Sequence, residues 1–327
     1  MAVLVTGAAG FIGFHVAQQL MERGHSVVGI DNLNDYYDPA LKQARLARLD
    51  GRNNFTFCRL EVQDREAVLA LAGEFPDITE IVHLAAQAGV RYSLENPFAY
   101  VETNMMGHLC MMELARRLPK LRHFVYASSS SVYGGNKELP FSVDQRVDSP
   151  VSLYAATKRA DELMTQCYAH LYGLPSTGLR FFTVYGPWGR PDMSAYIFTK
   201  AIFEGRPIRL FNHGDMRRDF TYIDDIVAGV LAAVDRPPER HDEAPPHRVY
   251  NIGNNRSEPL LRFVDIIEQA CGKTAIRELA DMQPGDVKET YADIEPARRD
   301  FGFEPRVAID EGIPRFVDWY RTYHRTS

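Results

Sequence analysis

Residues 3–13 read VLVTGAAGFIG, and this segment decides the fold of the chain. A β-branched run ends at Val5, and Gly7, Gly10 and Gly13 follow at intervals of three before an amphipathic helical pattern begins. Glycines let the backbone turn sharply and approach a pyrophosphate, whose negative charge a helix N-terminus stabilises. Strand, glycine turn and helix in this order predict a dinucleotide-binding βα unit.

An acidic residue closes the next strand pattern. Asp31 ends the run VVGID, about 20 residues after the glycines. A carboxylate there can accept hydrogen bonds from both hydroxyls of an adenosine ribose, and it repels a 2′-phosphate. The predicted cofactor is therefore NAD, although the nearby cations Lys42 and Arg45 leave NADP open. The structural alternative, a glycine turn that serves only helix packing, is disfavoured by the whole ordered series.

Strand and helix patterns alternate through the first half of the chain. The β-branched strand runs fall at residues 3–5, 27–30, 55–57, 81–84 and 124–126. Ile12, Val16 and Leu20 share one helical face, and residues 98–117 can form another helix. This alternation predicts an α/β fold, a Rossmann-type doubly wound parallel sheet with a smaller C-terminal α/β substrate-binding lobe. We expect an NAD-binding domain over residues 1–180 and a mainly substrate-binding lobe over 181–327, although the chain can cross between the two more than once. We also expect a mobile loop at 235–247.

Composition excludes several functions. The chain has 327 residues, a formal net charge of −6 and a pI near 5.9, so it offers no positive surface for nucleic acid or an anionic membrane. Its first residues fit neither a signal peptide nor a membrane span, which favours the cytoplasm. The cysteines stand far apart without a CxxC pair, so we expect reduced thiols and neither a metal site nor a disulfide framework; they are Cys58, Cys110, Cys167 and Cys271.

A tyrosine and a lysine stand four residues apart in SLYAATKRADEL, on one face of a predicted helix. A phenol has a reference pKa of about 10 and is a poor base near neutral pH unless a cation lies close. Lys158 supplies that cation, so Tyr154 is predicted to take a hydroxyl proton while hydride leaves for the dinucleotide. Upstream, HFVYA runs into four serines at the carboxyl edge of the sheet, where a hydroxyl can hold the reacting oxygen. The alternative is a solvent-exposed Tyr–Lys pair on the helix surface without a catalytic role. The dinucleotide-binding pattern earlier in the chain disfavours this alternative.

Taken together, these segments resemble the extended short-chain dehydrogenase/reductases, and within them the UDP-glucuronate 4-epimerases. TGAAGFIG and YAATK mark the superfamily, whereas DNLNDYYD and FFTVYGPWGRPDM point to the glucuronate branch. HLAAQAGVRYS, YASSSSVYG, RRDFTYIDDI and QPGDV extend the likeness almost end to end. The resemblance implies tightly bound NAD, a UDP-sugar substrate and a homodimer built through helices around residues 98–117 and 154–172.

The resemblance also implies roles for individual residues. The catalytic residues would be Ser129, Tyr154 and Lys158. The cofactor-binding residues would be Gly7, Gly10, Phe11, Ile12, Gly13, Asp31, Asn32, Lys42, Glu61, Val62, Leu84, Ala85, Ala86, Tyr154 and Lys158. The substrate-binding residues would be Arg91, Ser129, Ser130, Tyr154, Thr183, Arg190, Arg218 and Asp286. Among these, Arg190 would lie near the sugar carboxylate or the nucleotide, Arg218 at the diphosphate and Asp286 at the uridine ribose. Glu61 replaces an Asp that contacts adenine in many relatives, and Asn104 matches a structural asparagine.

The residues after Ser129 favour one reaction of a 4-keto sugar. Related dehydratases place an Asp-Glu pair where this chain has Ser130 and Ser131, and related decarboxylases usually carry an acid in that segment. Serines favour re-reduction, which predicts NAD-dependent 4-epimerisation of UDP-glucuronate to UDP-galacturonate. The open alternatives are a 4-epimerase of UDP-glucose or UDP-N-acetylglucosamine, a UDP-glucuronate decarboxylase and a non-catalytic NAD-sensing module. A scaffold protein without cofactor ranks behind them.

Overall fold

A computed structural model describes residues 1–240, 244–283 and 287–326. Its strands, in chain order, are β1 (Ala2–Thr6), β2 (Ser26–Asp31), β3 (Phe55–Arg59), β4 (Ile78–His83), β5 (His123–Ser129), β6 (Ser176–Phe181), β7 (Thr183–Tyr185), β8 (Pro207–Phe211), β9 (Arg217–Arg218), β10 (Phe220–Tyr222), β11 (His247–Ile252), β12 (Glu258–Pro259) and β13 (Ile276–Ala280). Its α-helices are α1 (Phe11–Glu22), α2 (Pro39–Leu46), α3 (Arg65–Glu74), α4 (Tyr92–Glu95), α5 (Pro97–Tyr100), α6 (Gly107–Ala115), α7 (Leu153–Tyr172), α8 (Ser194–Phe203), α9 (Ile223–Val234), α10 (Leu260–Cys271), α11 (Glu295–Phe301) and α12 (Ile309–His324). Short turns of π-helix (Val101–Met106) and 3₁₀-helix (Ser130–Tyr133 and Asn212–Gly214) complete the helical segments.

Seven parallel strands form the central sheet, in the order β11-β6-β5-β4-β1-β2-β3. The chain winds outward from β1 in one direction to β2 and β3 and in the other to β4, β5 and β6. A crevice therefore opens at the carboxyl ends of β1 and β4, the switch point where doubly wound sheets bind ligands. The predicted Rossmann-type α/β fold is confirmed.

Alternating side chains along β1 divide the core between the two faces of the sheet. Val3 and Val5 belong to the larger cluster, which α1 joins through Phe14 and Leu20. Leu4 points the other way, into a second cluster with side chains of α3 and α6. Successive side chains on a strand face opposite sides, so a strand covered on both faces reads as a continuous apolar run. This double burial anchors the strand ends that carry the site.

The five strands predicted from β-branched runs are all present, with longer bounds than the patterns indicated. Residues 98–117 form parts of α5 and α6 with a π-helical turn between them rather than one continuous helix. β11 comes from the second half of the chain yet pairs with β6, so the chain returns to the large sheet. The division at residue 180 stays a prediction. The loop predicted to be mobile, 235–247, includes residues 241–243, which lie outside the described residues.

Short strand pairs place the polar residues of the second half. Thr183 opens β7, which pairs with β10, and Arg218 ends β9, which pairs with β12. Within the described ranges, none of the helices combines the length and apolar character needed to cross a membrane.

Candidate active site

A cavity of about 450 Å³ lies at the carboxyl ends of β1, β2, β4 and β5 and extends to the turn after β7. That volume lies within the usual range of small-molecule sites. Every predicted site residue that the structure describes lines this cavity except Glu61. Asp286 lies outside the described residues. Segments far apart in sequence therefore meet at one site.

The glycine turn has almost no spare space. Gly7 has a φ of +70°, which L side chains rarely adopt, and its carbonyl oxygen accepts a hydrogen bond of 2.8 Å from the Gly10 nitrogen. A Cβ atom on Gly13 would lie 2.0 Å from that same oxygen, and one on Gly7 would lie 3.0 Å from the Ala85 nitrogen. α1 begins at Phe11 without a side-chain cap, so its first N–H groups can bind an anion. This cradle fits the pyrophosphate of a dinucleotide.

Asp31 joins the ends of the first two strands. Its carboxylate accepts hydrogen bonds from the Ala9 nitrogen (3.1 Å) and the Leu33 nitrogen (2.8 Å), and the residue is 8% exposed. Backbone donors thus hold the side chain at the cavity wall. A carboxylate fixed there can accept the ribose hydroxyls of a bound dinucleotide.

The two cations that left NADP open differ in what they contact. Arg45 is fully buried, and its guanidinium donates to the carbonyl oxygens of Ala9 (3.0 Å) and Trp188 (2.6 and 3.1 Å). Lys42 lines the cavity and donates to Asn34 Oδ1 at 2.6 Å. Burial lowers the pKa of Lys42, and the neighbouring Asp31 partly offsets this effect. Arg45 therefore supports the fold, whereas Lys42 remains beside Asp31 at the cavity.

The end of β4 is tied to the end of β1 by one hydroxyl. Thr6 Oγ1 accepts hydrogen bonds from the backbone nitrogens of Leu84 (3.1 Å) and Ala85 (3.0 Å) and contacts His83 Nδ1 at 2.7 Å. His83 is buried, and burial lowers its pKa to about 3, so the ring is neutral near neutral pH. His83 is therefore a neutral strand histidine whose Nδ1 is paired with the Thr6 hydroxyl. Thr6 thus holds the backbone of Leu84 and Ala85 at the cavity wall.

The four consecutive serines at the end of β5 make different contacts. Ser128 is buried and donates to Glu162 Oε1 at 2.6 Å, a carboxylate that Arg180 also binds. Ser129 lines the cavity and accepts hydrogen bonds from the Ser131 nitrogen (3.2 Å) and hydroxyl (3.0 Å). The Ser129 hydroxyl is thus oriented by its neighbours and retains its own proton for a ligand. Ser130 lines the cavity beside it.

The predicted catalytic pair lies at the start of α7, whose N-cap Ser152 accepts from the Ala155 nitrogen at 3.1 Å. Tyr154 and Lys158 both line the cavity. Lys158 Nζ donates to Asp161 Oδ2 at 2.8 Å, and both side chains are almost completely buried. Burial alone would lower the pKa of Lys158, but the Asp161 carboxylate and Tyr154 raise it above its ordinary value. Lys158 is therefore held as an ammonium ion beside the phenol.

On the substrate side, charged side chains converge from three segments. Arg190 Nε and Nη2 donate to the two oxygens of Asp192 at 3.0 and 2.6 Å. The Arg91 guanidinium lies 4.8 Å from the centre of the Phe211 ring, and Arg218 donates to the Lys288 carbonyl oxygen at 3.0 Å. All three arginines line the cavity. They provide positive charge for an anionic substrate.

Two residues that shape this site, Tyr36 and Asp161, received no role from the sequence. Tyr36 lines the cavity and donates to Asp192, yet its segment DNLNDYYD served only to mark the family branch. Asp161 lies one helical turn after Lys158, a spacing that could have suggested the pair. Asn104 binds the backbone of Gln87 at 2.8 and 3.1 Å and Thr157 at 3.0 Å, inside the π-helical turn. Glu61 is exposed and reaches the cavity only through Asn32, whose amide donates to it at 2.9 Å.

Metal ions need clusters of ligating side chains. Across residues 1–240, 244–283 and 287–326, no group of three or more His, Cys, Asp or Glu residues is placed to hold one.

The fold and cavity are those of a nucleotide-cofactor enzyme built on a doubly wound sheet. A family model described as the NAD dependent epimerase/dehydratase family matches residues 3–253. This match spans well over half of the chain, which therefore belongs to that family. The family membership predicted from the sequence motifs is confirmed.

Individual relatives are similar along their full length. A probable UDP-glucuronate 4-epimerase of Rhizobium meliloti is 47% identical over 339 residues, covering 100% of this chain and 99% of the relative. The solved structure of a Bacillus cereus UDP-glucuronic acid 4-epimerase in complex with UDP-glucuronic acid and NAD is 34% identical, with a TM-score of 0.90 and coverage of 99% and 100% of the two chains. A Thermotoga maritima UDP-glucose 4-epimerase structure with UDP-glucose is 29% identical, with a TM-score of 0.87 and coverage of 99% and 100%.

Proposed function

We propose that this protein is an NAD-dependent epimerase that converts UDP-glucuronate to UDP-galacturonate through a 4-keto intermediate. The observation that carries the proposal is the single cavity that joins the glycine turn and Asp31 to Ser129, Tyr154 and Lys158. The similarity to UDP-glucuronate 4-epimerases over the whole chain supports the choice of substrate.

The residues around the glycine turn fit NAD. The N-terminus of α1 would bind the pyrophosphate and Asp31 the adenosine ribose, with Lys42, Asn32, Val62 and residues 84–86 along the walls. When bound there, NAD would supply a hydride acceptor that returns the same hydride to the opposite face of C4 once the keto sugar has turned over in the cavity. The protein's remaining task is to position the sugar and move a proton.

Tyr154 takes the proton from the C4 hydroxyl and later returns it to the new hydroxyl. Lys158, kept charged by Asp161, stabilises the phenolate of Tyr154 in between. Ser129 donates a hydrogen bond to the reacting oxygen at C4. Because the same proton and hydride return to the sugar, the reaction consumes no cofactor.

The C5 carboxylate needs firm binding because the 4-keto intermediate is a β-keto acid. We assign this task to Arg190, Ser130 and Thr183, which all line the cavity. Arg218 would bind the diphosphate, and Arg91 would help to hold the nucleotide-sugar. Glu61 and Asp286 remain proposals from resemblance alone, for the adenine and the uridine ribose respectively.

A substrate panel tests the proposal. The purified enzyme is given UDP-glucuronate, UDP-glucose and UDP-N-acetylglucosamine, and the products are identified by NMR. We expect UDP-galacturonate as the main product without added NAD. Faster turnover of UDP-glucose would favour the alternative that the Thermotoga structure represents, and a UDP-pentose as the main product would favour a decarboxylase. If the protein binds NAD but converts none of the three UDP-sugars, the result would favour a non-catalytic NAD-sensing module.

We also propose a homodimer formed through α7 and the segment from α4 to the π-helical turn, which pack side by side. Exposed apolar side chains concentrate there, with Leu94 72%, Phe98 75% and Leu171 66% exposed. Such a patch is typical of a protein interface. Leu171→Glu should give monomers in analytical ultracentrifugation, whereas Leu279→Glu, at a 61% exposed site on β13, should leave the dimer intact.

A cytoplasmic location completes the proposal. All four cysteines have free thiols, and Cys167 is exposed, as expected in a reducing compartment. Cell fractionation should find the enzyme with cytosolic markers.

A further inference from the structure

The turn that carries Arg190 is fastened to the cofactor side of the molecule. His15, on α1, contacts the Pro187 carbonyl oxygen through Nε2 at 3.0 Å. Arg45, on α2, donates to the carbonyl oxygens of Trp188 and Gly189 and is fully buried. The backbone just before Arg190 is therefore held by two side chains from the first half of the chain.

The Arg190 side chain is held separately, by a carboxylate two residues further along. Asp192 accepts from Arg190 Nε and Nη2 at 3.0 and 2.6 Å, a two-point contact that matches the planar fork of a guanidinium. This contact fixes the guanidinium plane and leaves Nη1 outside the pair. Burial would raise the pKa of Asp192, but the Arg190 guanidinium holds it below its ordinary value, so the pair stays ionised near neutral pH.

Tyr36 links this pair to the loop that follows Asp31. Its hydroxyl donates to Asp192 Oδ2 at 3.1 Å, and its ring lies 4.9 Å from the ring of Tyr92. A Cβ atom on Gly89 would come within 2.6 Å of the Tyr36 hydroxyl, so Gly89 leaves the space that this hydroxyl occupies. Burial and the charge of Asp192 raise the pKa of Tyr36, so the hydroxyl remains a donor.

We propose that Tyr36 and Asp192 are positioning residues that aim Arg190 at the substrate carboxylate and so decide whether the 4-keto intermediate keeps it; this inference rests on the proposed function. Loss of the carboxylate would break the C5–C6 bond and release carbon dioxide. The electron pair of that bond would form the C4–C5 enolate, which takes a proton at C5 from water, and the resulting 4-keto-pentose would become UDP-pentose when the hydride removed in the first half-reaction returns to C4. A firmly held carboxylate disfavours this reaction because the breaking bond cannot easily align with the ketone π system.

The test measures the share of decarboxylated UDP-pentose among the products from UDP-glucuronate, together with KM and kcat. Tyr36→Phe removes one hydrogen bond to Asp192, whereas Asp192→Asn removes its charge and at least one of the three hydrogen bonds that it accepts, each with little change in shape. We expect Tyr36→Phe to raise the UDP-pentose share about fivefold, the effect of one ordinary hydrogen bond, and Asp192→Asn to raise it at least as much. Each variant should raise KM more than it lowers kcat. Tyr92→Phe is the matched control, because the Tyr92 hydroxyl contacts Asn96 instead, and it should behave like the unmodified enzyme.

A double-mutant cycle with Arg190→Lys separates positioning from general damage. If Asp192 acts through Arg190, the combined variant should be no worse than Arg190→Lys alone. Full additivity of the two substitutions would overturn the proposal. So would unchanged product shares in both Tyr36→Phe and Asp192→Asn at normal NAD content. If one of these variants fails to fold, the product share of the other decides. An unmodified enzyme without 4-epimerase activity on UDP-glucuronate would instead refute the proposed function.

Discussion

The cofactor side and the substrate side of the cavity are built differently. The cofactor side uses backbone atoms at strand ends, where a Cβ atom added to Gly7, Gly10 or Gly13 would meet neighbouring main chain at 2.0–3.0 Å. The substrate side uses long charged side chains, such as Arg190, that are held by other side chains. The glycine spacing is encoded within a few residues, whereas a contact such as that of Tyr36 with Asp192 exists only after distant segments have packed.

This difference predicts different responses to mutation. A backbone cradle does not tolerate even a small added side chain, because the new atoms meet main chain that cannot move away. A side-chain cluster can lose one hydrogen bond and still bind, with altered specificity. Variants that add a side chain to the glycine turn should therefore abolish NAD binding, and those in the substrate-side cluster should change product ratios.

The largest effect should come from the catalytic tyrosine, where the two sides meet. Tyr154→Phe removes the group that exchanges the C4 proton, and kcat should fall by about 10²–10⁴-fold. NAD content should not change, because the glycine turn is untouched. Tyr168→Phe is the matched control, since its hydroxyl lies on the same helix but contacts Glu113 at 2.6 Å. Near-normal turnover by Tyr154→Phe would refute its assignment as the base.

The next effect tests the backbone cradle directly. In Gly13→Ala the new Cβ would meet the Gly7 carbonyl oxygen at 2.0 Å, so the turn must open. We expect purified Gly13→Ala to contain little NAD. Urea unfolding should show that its free energy of unfolding is lower by about 1–3 kcal/mol. Gly73→Ala is the control within a helix, because a Cβ there meets nothing within 4 Å. Retention of NAD by Gly13→Ala would remove the distinction between the two sides.

Local sequence patterns account for the geometry of the cofactor side better than for that of the substrate side, for a physical reason. Strand, glycines and Asp31 follow one another along 29 residues, from Val3 to Asp31, so local patterns contain their geometry. Tyr36 and Asp192 are 156 positions apart, and no local pattern shows that their side chains meet. Burial of Asp161 beside Lys158 likewise depends on the packing of α7 against the rest of the fold. The individual substrate-binding residues are recognised mainly by the family resemblance, because no local pattern brings them together.

Lowering the pH should reduce the free energy of unfolding because His83, beside the cofactor side of the cavity, is buried in its neutral form. The folded-state pKa of this buried ring is about 3, below the ordinary 6.5, so the unfolded chain binds the proton first as the pH falls. The stability that His83 contributes is present above pH 6.5 and declines as the pH falls towards 3. Between pH 6.5 and 5 the loss should be about 2 kcal/mol. Urea unfolding of His83→Asn should show a weaker pH dependence than the unmodified protein or the surface variant His170→Asn; an equal dependence in all three would contradict this explanation.

The smallest effect concerns the choice between NAD and NADP, and it tests how far the backbone cradle extends. Asp31 is held by the nitrogens of Ala9 and Leu33, so its charge stays at the place where a 2′-phosphate would lie. Asp31→Asn keeps the shape but removes that charge, the largest of the negative charges that act on Lys42 at the cavity wall. We expect the preference for NAD over NADP to fall about tenfold, which corresponds to about 1.4 kcal/mol. Titration calorimetry on cofactor-stripped enzyme measures both affinities. Asp35→Asn, which removes an exposed carboxylate from the same loop, should leave the preference unchanged. Equal affinities for the two cofactors in the unmodified enzyme would show that Asp31 serves only to join the strand ends.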